Sequence, residues 1–233
     1  MISERIDQNL TVGVVICTKN EGRTIGDIIY KASRYISIKD IFVIDCHSTD
    51  NTALLAREKG VSVLTDSKKG KGSAVRMAIN KIEREILIFL DADGSHRPEE
   101  IPSFIEPFLG DRSITLIIGS RFKGGSEELG ENLFEKIRFT GNKISTFILN
   151  KIWSTNLTDI QNGFRAVKRQ EIQKYNLTEN SFVIEQEMVM KCLKNKAKVV
   201  EIPSWELKRK YNKSHLKPLK MLPLFIISFF KNV

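Results

Sequence analysis

Short apolar runs alternate with longer stretches of helical spacing through the first half of the chain. The runs are Val12–Cys17, Ile41–Ile44, Val61–Leu64, Ile86–Leu90 and Ile114–Gly119. They are rich in Val and Ile and do not alternate apolar with polar residues, which marks strands buried on both faces of a parallel sheet. Between them, Thr24–Tyr35, Thr49–Lys59, Ser73–Glu83 and Glu99–Leu109 repeat apolar residues at helical intervals. This βαβ alternation predicts an α/β fold: a Rossmann-like, mostly parallel central sheet flanked by helices.

After Gly119 the pattern changes. The polar, glycine-rich stretch Lys123–Glu131 reads as a mobile loop, and a long amphipathic segment, Leu133–Ile152, follows it. A short strand is expected near Phe164–Val167, a helix near Ile184–Leu193 and a strand at Val199–Ile202, as an extension of the same sheet.

A length of 233 residues suits one large α/β domain. The net charge of +9 is unevenly spread: Lys208–Lys220 holds six basic residues and no acid. Such a run suits a polyanion or an anionic membrane surface, or is a solvated tail. The apolar stretch Met221–Phe230 follows it. As a helix that stretch falls short of the ~20 residues that span a bilayer, so it lies on a membrane or docks on the domain. The N-terminal MISERIDQNL carries charges where a signal peptide needs an apolar run. Three cysteines, Cys17, Cys46 and Cys192, form no CxxC pair and point to a reducing compartment; Cys17 and Cys46, in or next to apolar runs, read as buried thiols. A cytoplasmic protein, peripheral on the cytoplasmic face of the membrane, is expected. The basic stretch lacks aromatic interleaving beyond Tyr211, so nucleic acid is not an expected partner.

Ligands of open α/β sheets bind beyond the carboxyl ends of the strands. Four polar clusters follow predicted strands: Thr18-Lys19-Asn20-Glu21, Asp45-Cys46-His47-Ser48, Asp91-Ala92-Asp93 and Ser120-Arg121. All four should meet at one edge. Asp91 and Asp93 place two carboxylates in one turn, a donor set for Mg²⁺ or Mn²⁺ that a substrate diphosphate would complete.

The series VVICTKNEG, VIDCHSTDNT, GKGSA, LDADGSHRPEE, GSRF and DIQNGFRA resembles family 2 glycosyltransferases of the GT-A fold, over about Val12 to Leu216. Within them it is most similar to dolichyl- and polyprenyl-phosphate mannose synthases and their glucose-transferring relatives. The resemblance implies that Thr18, Asn20, Glu21 and Asp45 hold the nucleoside and that Lys71 lies near the donor. It gives Asp91, Ala92 and Asp93 to the metal and donor diphosphate, with Asp91 and Asp93 as metal ligands. Arg121, Arg138 and Asp159 fall to the acceptor phosphate, and Arg209 with Ser214 to an element closing on the diphosphate. Asp93, Asp159 and Arg209 are the catalytic candidates. Residues 1–220 would form the GT-A domain, with a nucleotide-sugar half at 12–122, an acceptor half at 123–220 and a tail at 221–233.

The chain departs from the family pattern at Cys46, where a second acid is common, and at Gly94-Ser95, where mannose synthases tend to carry a glutamine. It also departs at Arg209–His215, which lacks the family's glycine and final lysine. Asp50 reads as a cap for the helix near Asn51. Glu187 reads as a site residue by resemblance or as part of a solvated helix face. Arg165 reads equally as a structural ion pair or a site group, and His47 and His96 read as surface loop residues.

The implied reaction is an inverting transfer of a hexose, mannose from GDP-mannose or glucose from UDP-glucose, to a polyprenyl or dolichyl phosphate. A soluble sugar or phosphoglycerate acceptor is the alternative; a hydroxyl acceptor would need a general base, for which Asp159 is the candidate. A non-catalytic binding protein of the same fold is a further alternative.

Overall fold

The computed structural model describes residues 10–128, 133–211 and 218–233. The first half follows the predicted alternation: β1 (Val12–Thr18), α1 (Ile25–Ala32), β2 (Ile41–Asp45), α2 (Thr52–Glu58), β3 (Ser62–Thr65), α3 (Lys71–Lys81), β4 (Ile86–Asp91), α4 (Ile101–Gly110) and β5 (Ile114–Ser120). The second half contains α5 (Arg121–Gly124), β6 (Gly125–Ser126), α6 (Leu133–Trp153), β7 (Arg165–Lys168), α7 (Arg169–Lys174), α8 (Ile184–Lys194), β8 (Lys198–Glu206) and α9 (Pro218–Asn232).

The eight strands form one sheet in the order β3-β2-β1-β4-β7-β5-β8-β6. All pairings are parallel except those of β7, which runs antiparallel to both β4 and β5. Successive residues of a strand face opposite sides. Val14 and Ile16 therefore enter the core under α1 and α4, and Val15 and Cys17 the core under α3 and α8. The predicted α/β sheet buried on both faces is present.

Two local expectations are corrected and one is sharpened. The strand expected at Val61–Leu64 is β3, an edge strand that starts at Ser62 and is only half buried, because none of the described residues pairs with its outer side. The strand expected near Phe164–Val167 is β7, and it joins the same sheet, inserted antiparallel between β4 and β5 rather than added at an edge. The stretch expected as a mobile loop from Lys123 is ordered through Glu128: β6 pairs with Trp205 and Glu206, and Glu127 N–H donates to Glu206 O at 2.9 Å. Gly125, at φ 131°, permits that approach, since a side chain there would collide with the Trp205 ring.

The sheet register brings the polar clusters together. Thr18 lies opposite Asp45, and Cys17 opposite Asp91. Arg165 pairs with Phe89 on one side and Ile118 on the other, so the segment entering β7, Asn162-Gly163-Phe164, arrives at that same edge.

Candidate active site

The Asp91-Ala92-Asp93 turn lies at the centre of this edge. Asp93 Oδ1 accepts from Ser95 N–H at 2.9 Å and Ser95 Oγ at 2.6 Å, while Gly94 takes the left-handed φ of 84° that closes the turn. Asp91 N–H donates to His96 Nδ1 at 2.9 Å, and His96 Nε2 faces Asn162 Oδ1 at 3.2 Å. His96 is buried and stacked on Phe164. The surface histidine expected from the sequence is thus an internal support of the turn, held by an aromatic ring from β7's approach.

Each carboxylate of the turn meets a cation. Lys71, at the start of α3, places Nζ 2.8 Å from Asp91 Oδ1 and 3.0 Å from Glu185 Oε1. Burial alone would raise the Asp91 pKa, but the charge of Lys71 and its hydrogen bond outweigh it and hold the carboxyl well below its usual value. Burial likewise works against the Lys71 ammonium, and the two carboxylates overturn that effect and raise its pKa. Gly163 makes room for the ammonium: a Cβ there would stand 2.7 Å from Lys71 Nζ. Arg209 donates to Asp93 Oδ2 at 2.6 Å and to Glu21 Oε1 at 3.2 Å.

A cavity of about 210 Å³ opens on the β1–β2 side, lined in part by Thr18, Glu21, Lys71, Ala92, Phe182 and Arg209. Thr18 Oγ1 is buried there with no hydrogen-bond partner among the described residues. Asn20 and Asp45 are not among the cavity's lining residues and instead hold the loops beside it. Asn20, at φ 57°, accepts Thr49 N–H on Oδ1 at 2.7 Å, and Asp45 accepts Ser48 N–H at 3.2 Å. Asp50 fits its expected place at the helix start, accepting Thr52 N–H at 3.0 Å and Gly22 N–H at 3.1 Å. The Cys46 thiol is pushed up to about 12 by burial and then by Asp66 and Asp45, and burial also raises Cys17 and Cys192. All three remain protonated thiols at neutral pH.

A second cavity of about 80 Å³ shares Lys71, Asp91, Asp93, Phe182 and Arg209 with the first and runs toward Arg121 and Arg138. Both arginines are engaged by carboxylates. Arg121 grips Asp159 through Nε at 2.7 Å and NH2 at 3.0 Å, and reaches Glu206 at 3.3 Å. Arg138 contacts Glu135 at 2.8 Å, Glu128 at 3.1 Å and Glu206 at 3.3 Å. Asp159 is fully buried, also accepts from Asn142 at 2.7 Å, and does not line the cavity. Burial would raise the pKa values of Asp159 and Glu206; the neighbouring arginines prevail and lower both.

Other candidates separate. Glu187 is fully buried and anchors the Thr178–Glu179 backbone at 2.9 Å, so neither a site role nor a solvated face describes it. Its neighbour Glu185 is the carboxylate at the cavity, with Oε2 unpartnered among the described residues. Arg165 makes no ion pair among the described residues: its guanidinium donates to the carbonyls of Asn162 and Glu185, and it lines only a small cavity of about 10 Å³ that it shares with Lys71 and Asp91. Ser214 lies outside the described residues.

Among the described residues no three His, Cys, Asp or Glu side chains gather into a metal cage. Two carboxylates in one turn, each paired with one side-chain cation, nevertheless fit a hard divalent ion that takes its remaining ligands from phosphate and water.

The family model described as glycosyl transferase family 2 matches residues 13–175. Glycosyltransferase AglJ of Haloferax volcanii is 30% identical over 83% of this chain, which spans 62% of that relative's length. The polyprenol monophosphomannose synthase of Mycolicibacterium smegmatis is 28% identical over 82% of this chain and 75% of its own. Glucosyl-3-phosphoglycerate synthase from Mycobacterium tuberculosis, solved with Mn²⁺, UDP and glucosyl-3-phosphoglycerate, superposes with a TM-score of 0.75 at 19% identity, covering 96% of this chain and 80% of that one. The fold is that of GT-A glycosyltransferases, and the chain belongs to glycosyltransferase family 2.

Proposed function

We propose that the protein transfers a hexose from a nucleotide sugar to a polyprenyl or dolichyl phosphate at the cytoplasmic face of a membrane, with inversion. The observation that carries this reading is the pair of cavities joined at Lys71, Asp91, Asp93 and Arg209, the second of them reaching Arg121 and Arg138. A donor diphosphate at the junction would have its nucleoside on the Thr18 side and its sugar toward the arginines. Residues 12–122 then serve mainly the donor and 123–220 mainly the acceptor, with Arg121 on the acceptor side and Arg209 on the donor diphosphate. The polyprenol-phosphate relative supports the acceptor class, and GDP-mannose is the first donor to test, UDP-glucose the second.

Asp91 and Asp93 would hold Mg²⁺ or Mn²⁺, which supplies positive charge against the departing diphosphate. The chain's own residues do the rest. Lys71 and Arg209 exchange carboxylate partners for diphosphate oxygens and stabilise the charge that grows there as the anomeric C–O bond breaks. His96 and Ser95 keep the turn fixed while the exchange occurs. A lipid phosphate has a second pKa of about 6 and attacks as an anion without a strong base. Arg138, partly exposed, orients that anion; Arg121 and Asp159 brace it from behind through the shared Glu206.

One observation favours a hydroxyl acceptor as the second reading. Glu185 lines the cavity, and its Oε2, buried and without a partner among the described residues, would turn into the cavity to take the proton of an attacking hydroxyl. Asp159, with both oxygens engaged, is poorly suited to that task. Calorimetric titration with GDP and UDP in Mg²⁺ or Mn²⁺ identifies the nucleotide. Glu185→Gln, assayed with a lipid phosphate and with soluble sugars or phosphoglycerate, then separates the acceptors. A phosphate acceptor tolerates the change within about tenfold, whereas loss of about a hundredfold or more would assign Glu185 as base for a hydroxyl.

A further inference from the structure

Besides its charged groups, the acceptor-side cavity is lined by one hydroxyl and two amide side chains, those of Ser95, Gln161 and Asn162. Two of the three are committed to the protein. Ser95 Oγ gives its proton to Asp93 Oδ1 at 2.6 Å. Asn162 Oδ1 accepts Phe164 N–H at 3.2 Å and faces His96 Nε2 at 3.2 Å, while its Nδ2 donates to the Gly119 carbonyl. Gln161 differs. Its Nε2 donates to Gln186 Oε1 at 3.3 Å, and its own Oε1 accepts no hydrogen bond among the described residues.

A relay fixes which end of the Gln161 amide is left over. A backbone carbonyl can only accept, so the 3.1 Å contact between Gln186 and the Phe225 carbonyl is made by Gln186 Nε2. That turns Oε1 of the fully buried Gln186 toward Gln161, and an oxygen there draws the Gln161 NH2 group. Exchanging oxygen and nitrogen in either amide would set like groups against each other, so the relay holds one orientation. The atom left to a ligand is Gln161 Oε1, a neutral acceptor on the cavity that also holds Asp91 and Asp93. The relay begins on α9, which packs on α6 and α8, passes through α8 and ends on the segment entering β7.

We propose that Gln161 is a specificity residue that accepts a hydrogen bond from one hydroxyl of the transferred sugar, and that Gln186 is the positioning residue behind it. This assignment rests on the reading that a nucleotide sugar binds with its diphosphate at Asp91 and Asp93 and its sugar in the second cavity; it requires no particular acceptor. An amide oxygen calls for a donor, and hydroxyls are the donors a hexose carries around its ring. A sugar lacking the matching hydroxyl leaves that oxygen without a partner, which is how a site built for a hydroxyl rejects its deoxy analogue.

The test is calorimetric titration of the full chain, without acceptor, in Mg²⁺ or Mn²⁺. The probes are GDP, GDP-mannose, UDP and UDP-glucose, and each monodeoxy form of the sugar nucleotide that binds. In the parent, one deoxy form should bind about tenfold more weakly than the complete donor, the effect of one neutral hydrogen bond. Gln161→Leu should bind the complete donor about tenfold more weakly, show no further loss with that deoxy form, and keep the parent's affinity for the nucleoside diphosphate. Gln186→Met, close in volume and unable to relay, should shrink the deoxy penalty to about threefold or less, with diphosphate affinity and circular dichroism unchanged. Gln161→Leu that binds the complete donor like the parent would overturn the proposal. So would a loss of diphosphate affinity along with it, which would assign Gln161 to the fold. A full deoxy penalty in Gln186→Met would overturn the relay. A parent that binds none of the four nucleotides removes the donor reading and this assignment with it. Failure of transfer to a lipid phosphate, with these affinities as expected, removes the acceptor alone and leaves Gln161 in place.

Discussion

Arg209 donates to the Asp93 carboxylate at 2.6 Å from a segment that follows the last sheet strand. Its own N–H is held by Glu128 Oε1 at 3.3 Å, so the ordered stretch after β6 fixes it over the turn. Together with Lys71 on Asp91, the pair leaves both acids of the turn neutralised. A metal-diphosphate brings one charge for each partner and can release both pairs at once. Asp93→Asn preserves shape and removes the charge. Transfer should fall by about a hundredfold or more, with an unchanged circular dichroism spectrum. Substantial transfer by the folded variant would remove Asp93 from the chemistry.

Gly163 tests the same centre without touching a charge. A methyl group there would meet Lys71 Nζ at 2.7 Å and Asp91 Oδ2 at 3.1 Å. Because the ammonium ends a flexible side chain, it yields and leaves its position between Asp91 and Glu185. Gly163→Ala should lower kcat about tenfold or more, with a stability change within about 2 kcal/mol by urea unfolding. Parent-like kcat would show that the Lys71 position has no part in transfer.

The two acceptor-side arginines should respond differently. Arg121 is buried between Asp159 and Glu206, and Arg121→Ala strands both acids; a loss of about 3–5 kcal/mol is expected in denaturant unfolding. Arg138→Gln should leave the fold intact and raise KM for a lipid phosphate about ten- to a hundredfold, the worth of a charge-assisted bond. Nucleotide affinity should stay constant. Equal losses in donor and acceptor binding would place Arg138 with the donor or the fold.

Stability should depend on pH through the same cluster. Asp159 and Glu206 have folded pKa values lowered by the arginines, after burial is overcome. The unfolded chain therefore binds more protons at acid pH, and stability rises with pH there. This contribution is fully present above the ordinary carboxylate range, about pH 4, and is lost as pH falls through the lowered folded values. Chemical unfolding from pH 3 to 7 should show the slope in the parent and a smaller one in Asp159→Asn. A parent curve flat across that acid range would contradict the assignment.

The strand-following motifs were legible because continuous β-branched runs and helical spacing depend on local sequence. Asp91, Asp93, Lys71 and Arg209 meet where the motif order implied. The antiparallel β7 was not legible, because a four-residue run carries no sign of which strands it will separate. His96 looked like a loop residue; its burial depends on Phe164, which β7 brings from elsewhere in the chain. Glu185 and Glu187 share one helical turn, and only tertiary packing decides that Lys71 meets Glu185 while Glu187 fastens the Thr178 loop. Arg121 and Arg138 were expected near the acceptor; of the four carboxylates around them only Glu135 lies one turn away on the same helix, and Glu128, Asp159 and Glu206 come from other segments that the sequence could not pair with them.

The central claim is transfer of a hexose to a lipid phosphate, and one assay addresses it directly. The purified full chain is incubated with radiolabelled GDP-mannose or UDP-glucose, a short polyprenyl phosphate, and Mg²⁺ or Mn²⁺; organic-phase label is then counted with and without chelator. The account predicts organic-soluble glycolipid from one donor, abolished by chelator and restored by the metal. Label that passes only to a soluble sugar or phosphoglycerate, or transfer that ignores chelator, would contradict it.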